Sequence, residues 1–389
     1  MAVNSMTKEQ AHLLINAIHA QATGQTGIAA TDMSDFVSVA QATLATGYEN
    51  TLNAITQVLQ RSIIAVRPYD AKFTGLEFTA DTWGGIIRKI NFADTAAEAD
   101  PTHATVNGVG IDQYVVKKPV VLETRYVGSD VYMGSYTIYR VQLETAFENE
   151  ANFGSFMTGL MTHFLNERTQ WLEGLKRGIL CNAIAGIVDA GGAVIHLLTE
   201  YNNATGLSLT SQTALQPANF KPFMQWVYAR VSELSRLMTE RSDLFQLNIT
   251  GYPIMRHTPM RDQRVYLDAS FLDQMDAMVL ADTYHDNFLR YADVEGVSYW
   301  QAIDNPRSVS VKPVYIDAAG AVNVASANVV VNDVVGIMFD RDALGYNIYH
   351  DSLDASPYNA KGQYYNLFAH MDIQLQNDFT EKIIVLKLD

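Results

Sequence analysis

The stretch ANFGSFMTGLMTHFLNERTQWLEGLKRGILCNAIAGIVDAGG, which begins at Ala151, narrows what this chain can fold into more than any other. Phe153, Phe156, Met157, Leu160, Phe164, Trp171, Leu172, Leu175, Ile179, Ile184 and Ile187 recur at helical spacing. Gly191 and Gly192 stop the run. The spacing predicts one helix over 151–188, on the order of 57 Å long at ~1.5 Å per residue. Five glycines lie inside it, at 154, 159, 174, 178 and 186. Each costs about 1 kcal/mol against alanine where the site is exposed, so they are expected to mark close contact with a crossing sheet or another subunit.

The segments on either side read differently. Thr7 and Gln10 have capping-box spacing, Leu14, Ile15 and Ile18 share a helical face, and Gly24 ends it. SDFVSVAQATLATG and YENTLNAITQVLQRSIIAV read as two more short helices. Residues 1–66 are therefore expected to be an arm whose apolar stripes need an outside surface, on neighbouring subunits. Residues 67–137 are β-rich, with GLEFTADTWGGIIRKINF and DQYVVKKPVVLETRYVG flanking a small polar tip. That pattern predicts a long projecting hairpin, which is marginal alone in water and needs a neighbour. Its tip, 93–110, is expected to become ordered only on assembly. Residues 193–328 alternate helix and strand. The chain closes on NDFTEKIIVLKLD, too apolar for a loose tail, so the end is expected to be tied into a sheet.

Composition bounds function. At 389 residues the chain exceeds one average core, so two or three lobes are expected. With 27 basic against 42 acidic residues the net charge is −15. Such a surface does not grip nucleic acid over its whole extent, although it can enclose it. One cysteine, Cys181, excludes an internal disulfide and falls in the helical period as a core residue. No signal peptide and no membrane span are expected. Walker A and HExxH patterns are absent. Gly108 and Gly110 read as a hairpin tip rather than a phosphate loop. Asp282, His285 and Asp286 read as a capped helix end rather than a metal site, and Asn203 and Asn248 match a glycosylation pattern that carries no weight without secretion. Arg256, His257, Arg261 and Arg264 gather in RHTPMRDQR as a loop basic cluster that could face DNA. No catalytic set, cofactor or metal is expected.

The order of arm, hairpin, long helix, α/β lobe and closing strands resembles the major capsid proteins of tailed bacteriophages, the Hong Kong ninety-seven type of shell fold. DVVGIMFDRDALGYNIYH at 333–350, NDFTEKIIVLKLD and TWGGIIRKINF look like stretches of podophage-like members. The resemblance implies an α+β fold with an N-arm at 1–66 and an extended loop at 67–137. It implies a peripheral domain at 138–192 and 329–389 with a spine helix at 151–188, and an axial domain at 193–328. The final strand would complete the peripheral sheet beside the spine helix.

It also implies pentamers and hexamers of one chain in an icosahedral virion shell around double-stranded DNA, assembled in a bacterial cytoplasm. A portal and a separate scaffolding protein are the implied partners, with no membrane. Some relatives join subunits by a Lys–Asn isopeptide bond; Lys89, Lys117 and Lys118 lie in the loop, but with no Asn partner identified the bond is not expected. The hairpin stem carries Arg88, Lys89, Lys117, Lys118 and Arg125, and its tip Asp94, Glu98 and Asp100. The stem is expected to lie over a neighbour's acidic helix start, where Glu144, Glu148 and Glu150 suit a helix N-terminus, with Glu167 and Glu173 beyond. Two other readings compete: an encapsulin-like compartment holding a protein cargo, and a soluble α/β enzyme. Neighbouring portal and terminase genes would mark the first reading, and a monomer that never assembles would mark the enzyme.

Overall fold

The structure is a computed structural model. It describes residues 8–24, 33–46, 50–51, 54–55, 72–73, 75–78, 86–95, 98–127, 130–148, 150–279 and 294–389. The long helix runs Glu150–Asp189, as the spacing predicts. The first two arm helices are Lys8–Thr23 and Met33–Ala45; most of the expected third lies outside the described residues.

Fourteen strands are described, and three groups of them organise the molecule. A hairpin pairs β1 (Ile86–Phe92) with β2 (Val121–Val127). A three-stranded antiparallel sheet joins β3 (Asp130–Tyr139), β12 (Leu344–Ala355) and β13 (Tyr364–Asn377) in the order β12-β13-β3. The largest sheet has the order β4-β14-β11-β5-β6. Its strands are β4 (Val194–His196), β5 (Gln263–Asp268), β6 (Val294–Val297), β11 (Val334–Asp340) and β14 (Ile383–Lys387).

The chain end is therefore tied into a sheet, but not the expected one. β14 lies between β4 and β11, among strands drawn mainly from residues 194–297. The segment 329–389 splits: β11 and β14 join the five-stranded sheet, and β12 and β13 join the three-stranded one. The reason is two-sided burial. Ile383 and Val385 face a core shared with Ile179, Ile184 and Ile187 of the long helix. Ile384 and Leu386 face the opposite core, with Phe223, Val227 and Leu234 of helix Pro217–Thr239. A strand covered on both faces loses polar alternation, and this makes IIVL a continuous apolar run.

A third core revises the arm. Ile15, Ile18, Phe36 and Val39 are fully buried against Phe153 and Met157 of the same chain's long helix and against Ile138, Tyr365 and Leu367 of the three-stranded sheet. Phe36 meets Phe153 edge-on at 5.5 Å, and Phe147 stacks on Phe153 at 5.4 Å. The apolar stripes of the described arm helices are thus covered by their own subunit, which supplies a continuous apolar platform where helix and sheet meet.

The hairpin is shorter than 67–137. Phe73 and Leu76 are buried in the core around the long helix. The Phe78 amide donates to Tyr346 O at 3.0 Å, and the Tyr346 amide donates to Leu76 O at 2.9 Å. At the other end β3 pairs with β13 from Asp130↔Ile373 to Tyr139↔Tyr364. What projects is 86–127.

The helix glycines divide. A Cβ on Gly186 would lie 2.7 Å from the Phe379 ring, the close crossing expected, whereas at Gly159, Gly174 and Gly178 it meets nothing within 4 Å. Gly178→Ala is therefore expected to stabilise the isolated subunit by up to about 1 kcal/mol through helix propensity. Gly186→Ala is expected to destabilise it by about 1–3 kcal/mol through overpacking. Urea unfolding of both variants checks this, and a stabilising Gly186→Ala would contradict the close packing.

Candidate assembly surfaces

Residues on β1 and β2 alternate between two faces of the ribbon. Ile87, Lys89 and Asn91, with Leu122, Thr124 and Tyr126, turn toward the body; Asn91, Thr124 and Tyr126 are buried. Lys89 Nζ lies 2.7 Å from Asp378 Oδ2 and 2.5 Å from Glu381 Oε1. Arg256 Nη2 reaches the same Glu381 oxygen at 3.2 Å. Burial works against the Lys89 charge, but Asp378 and Glu381 outweigh it and hold its pKa above the ordinary lysine value. Burial also pushes Glu381 up, against the pull of Lys89 and Arg256. Past the end of β1, the Asp94 amide donates to Pro253 O at 2.7 Å, and its Oδ2 accepts from the Met255 amide at 2.6 Å. Its Oδ1 pairs with Arg241. On β2, Tyr126 O accepts from Nε2 of the Gln374 side chain on β13.

The outward face is more apolar than charged. Ile86, Ile90, Phe92, Val121 and Val127 are all exposed, with Phe92 directly across from Val121 and Ile86 across from Val127. Between them Arg88 and Arg125 each place Nε 2.7 Å from Glu123 Oε1. Hydrogen bonds from Arg125 and Arg88 hold the Glu123 carboxyl down at about 2. From Glu98 to Val120 every described side chain is exposed, including Val106, Val109, Tyr114, Val115 and Val116. DQYVVKKPV, expected as strand, forms none: the Ala93 amide donates to Val120 O at 2.9 Å, and β2 begins only at Val121. Within this loop Lys117 pairs with Glu98, and Lys118 is exposed. Asp100 accepts from Thr102 N at 2.9 Å and from its Oγ1 at 2.7 Å, which holds that carboxyl below its usual value.

The charges chosen from sequence therefore have local partners for the most part. Lys89 is engaged inside its own subunit. Glu144 pairs with Arg140 one helical turn away at 2.9 Å, Glu148 is exposed, and Glu150 opens the long helix. The basic cluster does not form. Arg256 turns to Glu381, and Arg264 is buried on β5, donating to Arg261 O and Gln263 O at 3.2 Å. Of the three arginines only Arg261 is well exposed, at 84 %, with His257 also exposed. Arg264 lies on β5, which is buried along its whole length, while Arg256 and Arg261 precede it in loop and turn, so closeness in sequence does not make a patch.

Cys181 is core as expected: it is buried, its Sγ donates to Trp300 O at 3.5 Å, and burial pushes the thiol up to about 12. Among the described residues no group of three or more His, Cys, Asp or Glu side chains could hold a metal, and no helix is long and apolar enough to cross a membrane. Asp282, His285 and Asp286 lie outside the described residues. Sequence reasoning missed the outward apolar residues of the ribbon, although IIRKINF carries their signal: every second residue from Ile86 shares one face, and three of the four are apolar. It also missed Asp378 and Glu381, for which no local signal exists.

A long helix beneath a three-stranded sheet, a helix-covered second sheet and a projecting hairpin together form the Hong Kong ninety-seven type of α+β fold. Two solved structures share it. One is the capsid structure of Staphylococcus phage Andhra, 11% identical, TM-score 0.54, covering 83% of this chain and 86% of that one. The other is the structure of head fiber and inner core protein gp22 of native bacteriophage P68, 11% identical, TM-score 0.52, covering 83% and 87%. No curated protein sequence matches the chain. The class, the phage major capsid proteins, comes from a family model rather than from these likenesses. Within it, the chain belongs to the Phi29-like phage major capsid protein family, whose model matches residues 15–387.

Proposed function

We propose that this capsid protein assembles with itself, as pentamers and hexamers, into an icosahedral shell that encloses double-stranded DNA. The observation that carries this reading is the hairpin. Its outward face and its loop expose a set of apolar side chains that no described residue of the subunit covers, and patches of this kind mark interaction sites. Residues 86–127 act as the extended loop, the three-stranded sheet with the long helix as the peripheral part, and the five-stranded sheet with its helices as the axial part. The loop lies on an adjacent subunit, held mainly by apolar burial and to a smaller degree by Arg88, Lys118 and Arg125 facing acidic groups such as Glu148. The net charge of −15 suits containment of DNA rather than tight binding to it. A portal and a separate scaffolding protein complete assembly in the host cytoplasm. Family membership favours this reading over a cargo compartment of the same fold and over an enzyme.

Electron microscopy of the purified protein, alone and with its scaffolding protein, tests the proposal. Closed shells with fivefold and sixfold capsomers are expected, and hydrogen exchange across 98–120 should slow on assembly, while Asp94 is anchored already. A protein that stays monomeric under all assembly conditions, or shells in which 98–120 exchange as freely as in the subunit, would count against it.

A further inference from the structure

A two-stranded ribbon is marginal alone, and this one joins neither larger sheet. Something else must fix its direction. We propose that Lys89, Asp378, Glu381 and Arg256 form a latch that sets how the hairpin leaves the subunit before it meets any neighbour.

Three elements converge at this point: the middle of β1, the turn that leads into β14, and the loop carrying Arg256. The acidic turn is rigid on its own account. Asp378 Oδ1 accepts from the Thr380 amide at 2.9 Å and from its hydroxyl at 2.6 Å, which leaves Oδ2 for Lys89. The turn opens directly into β14, a central strand of the five-stranded sheet, so the ribbon is fastened to a stiff part of the subunit. The charges balance, two cations against two carboxylates, and all four side chains are largely withdrawn from solvent. Removing Lys89 would leave two buried carboxylates facing one guanidinium, a state that opening of the ribbon relieves. Asp94 provides a second attachment five residues on, and two fixed points define a direction where one would allow a swing.

The pH response follows from the groups facing Lys89: Asp378 and Glu381 on the turn, Arg256 on the loop, Tyr126 across on β2 and Asp340 at the end of β11. Lys89 holds its proton more tightly when latched than in water, so its contribution is complete below about pH 10.5, the ordinary value, and fades above it. Burial raises Glu381 and Asp340. In Glu381 the pull of Lys89 and Arg256 opposes that burial. Tyr126 is also raised by burial and stays neutral. The latch therefore opens in alkali, where Lys89 loses its charge.

The latch lies within one chain, so its test does not depend on shell formation. Spin labels at Phe92→Cys and Ser208→Cys in the unassembled full chain report the spread of ribbon positions; buried Cys181 does not compete for label. A narrow distance distribution is expected. Lys89→Met should broaden it at least twofold, Lys89→Arg should restore most of the original width, and Arg88→Met on the outward face should leave it unchanged. If Lys89→Met does not fold, Lys89→Met with Glu381→Gln removes one charge of each sign, leaves Asp378 and Arg256 balanced, and should broaden the distribution in a folded chain. The width measured at pH 8 should grow above about pH 10.5. A folded Lys89→Met or double variant with the original width overturns the latch.

Discussion

Phe36→Ala is expected to destabilise the subunit by about 3–5 kcal/mol, the range for truncating a fully buried aromatic. Phe36 is 0 % exposed and sits edge-on to Phe153, which itself stacks on Phe147. Its loss opens a cavity at the junction of both arm helices, the start of the long helix and the three-stranded sheet. A marginal domain has only about 5–15 kcal/mol to lose, so this one side chain carries a large share of the margin. Urea unfolding of the unassembled chain gives the number. Deleting residues 1–45 should do more damage, because Phe153 and Met157 would then face water. An arm that served neighbours only would leave a body indifferent to the deletion. A Phe36→Ala cost below about 1 kcal/mol in the free subunit would restore that view and reject the internal platform.

Phe92→Asp is expected to abolish shell formation while leaving the subunit folded. Phe92 is 62 % exposed on the outward face, so its replacement removes no internal packing and surface changes of this kind usually stay within about 0.5 kcal/mol. At an interface the same change forfeits about 1.5–3 kcal/mol of apolar burial and adds the cost of a desolvated carboxylate. Each 1.4 kcal/mol weakens a contact about tenfold, and the contact recurs in every copy of a closed shell. Sedimentation and electron microscopy would show free subunits at concentrations where the parent assembles, with unchanged circular dichroism. Reversing Lys117 and Lys118 to Glu should do far less. Lys117 already pairs with Glu98 within the loop, and an exposed pair contributes only about 0–1 kcal/mol, fading as salt screens it. Normal shells from Phe92→Asp, together with a strong low-salt defect in the lysine reversal, would mean that charge rather than apolar burial holds the hairpin.

Local pattern carried a definite part of this protein. Helical spacing from Phe153 to Ile187 determined the long helix almost to its ends, because the apolar positions that must be buried repeat with the period of the backbone itself. The arm helices and the existence of a hairpin were legible for the same reason. So was the buried fate of the last strand, since four consecutive apolar residues, Ile383 to Leu386, have no solvent face. Tertiary structure alone decided the rest. Which sheet receives Ile383–Lys387 depends on β4 and β11, earlier strands that are well over a hundred residues apart in the chain. Which side of the ribbon faces the body depends on Lys89 finding Glu381, 292 residues further along the chain. Arg256, Arg261 and Arg264 stand close in sequence, yet strand and loop turn them to different surroundings. Periodicity records how much of an element must be hidden, but the partner that hides it is selected by long-range packing, and no short window of sequence contains both sides of that contact.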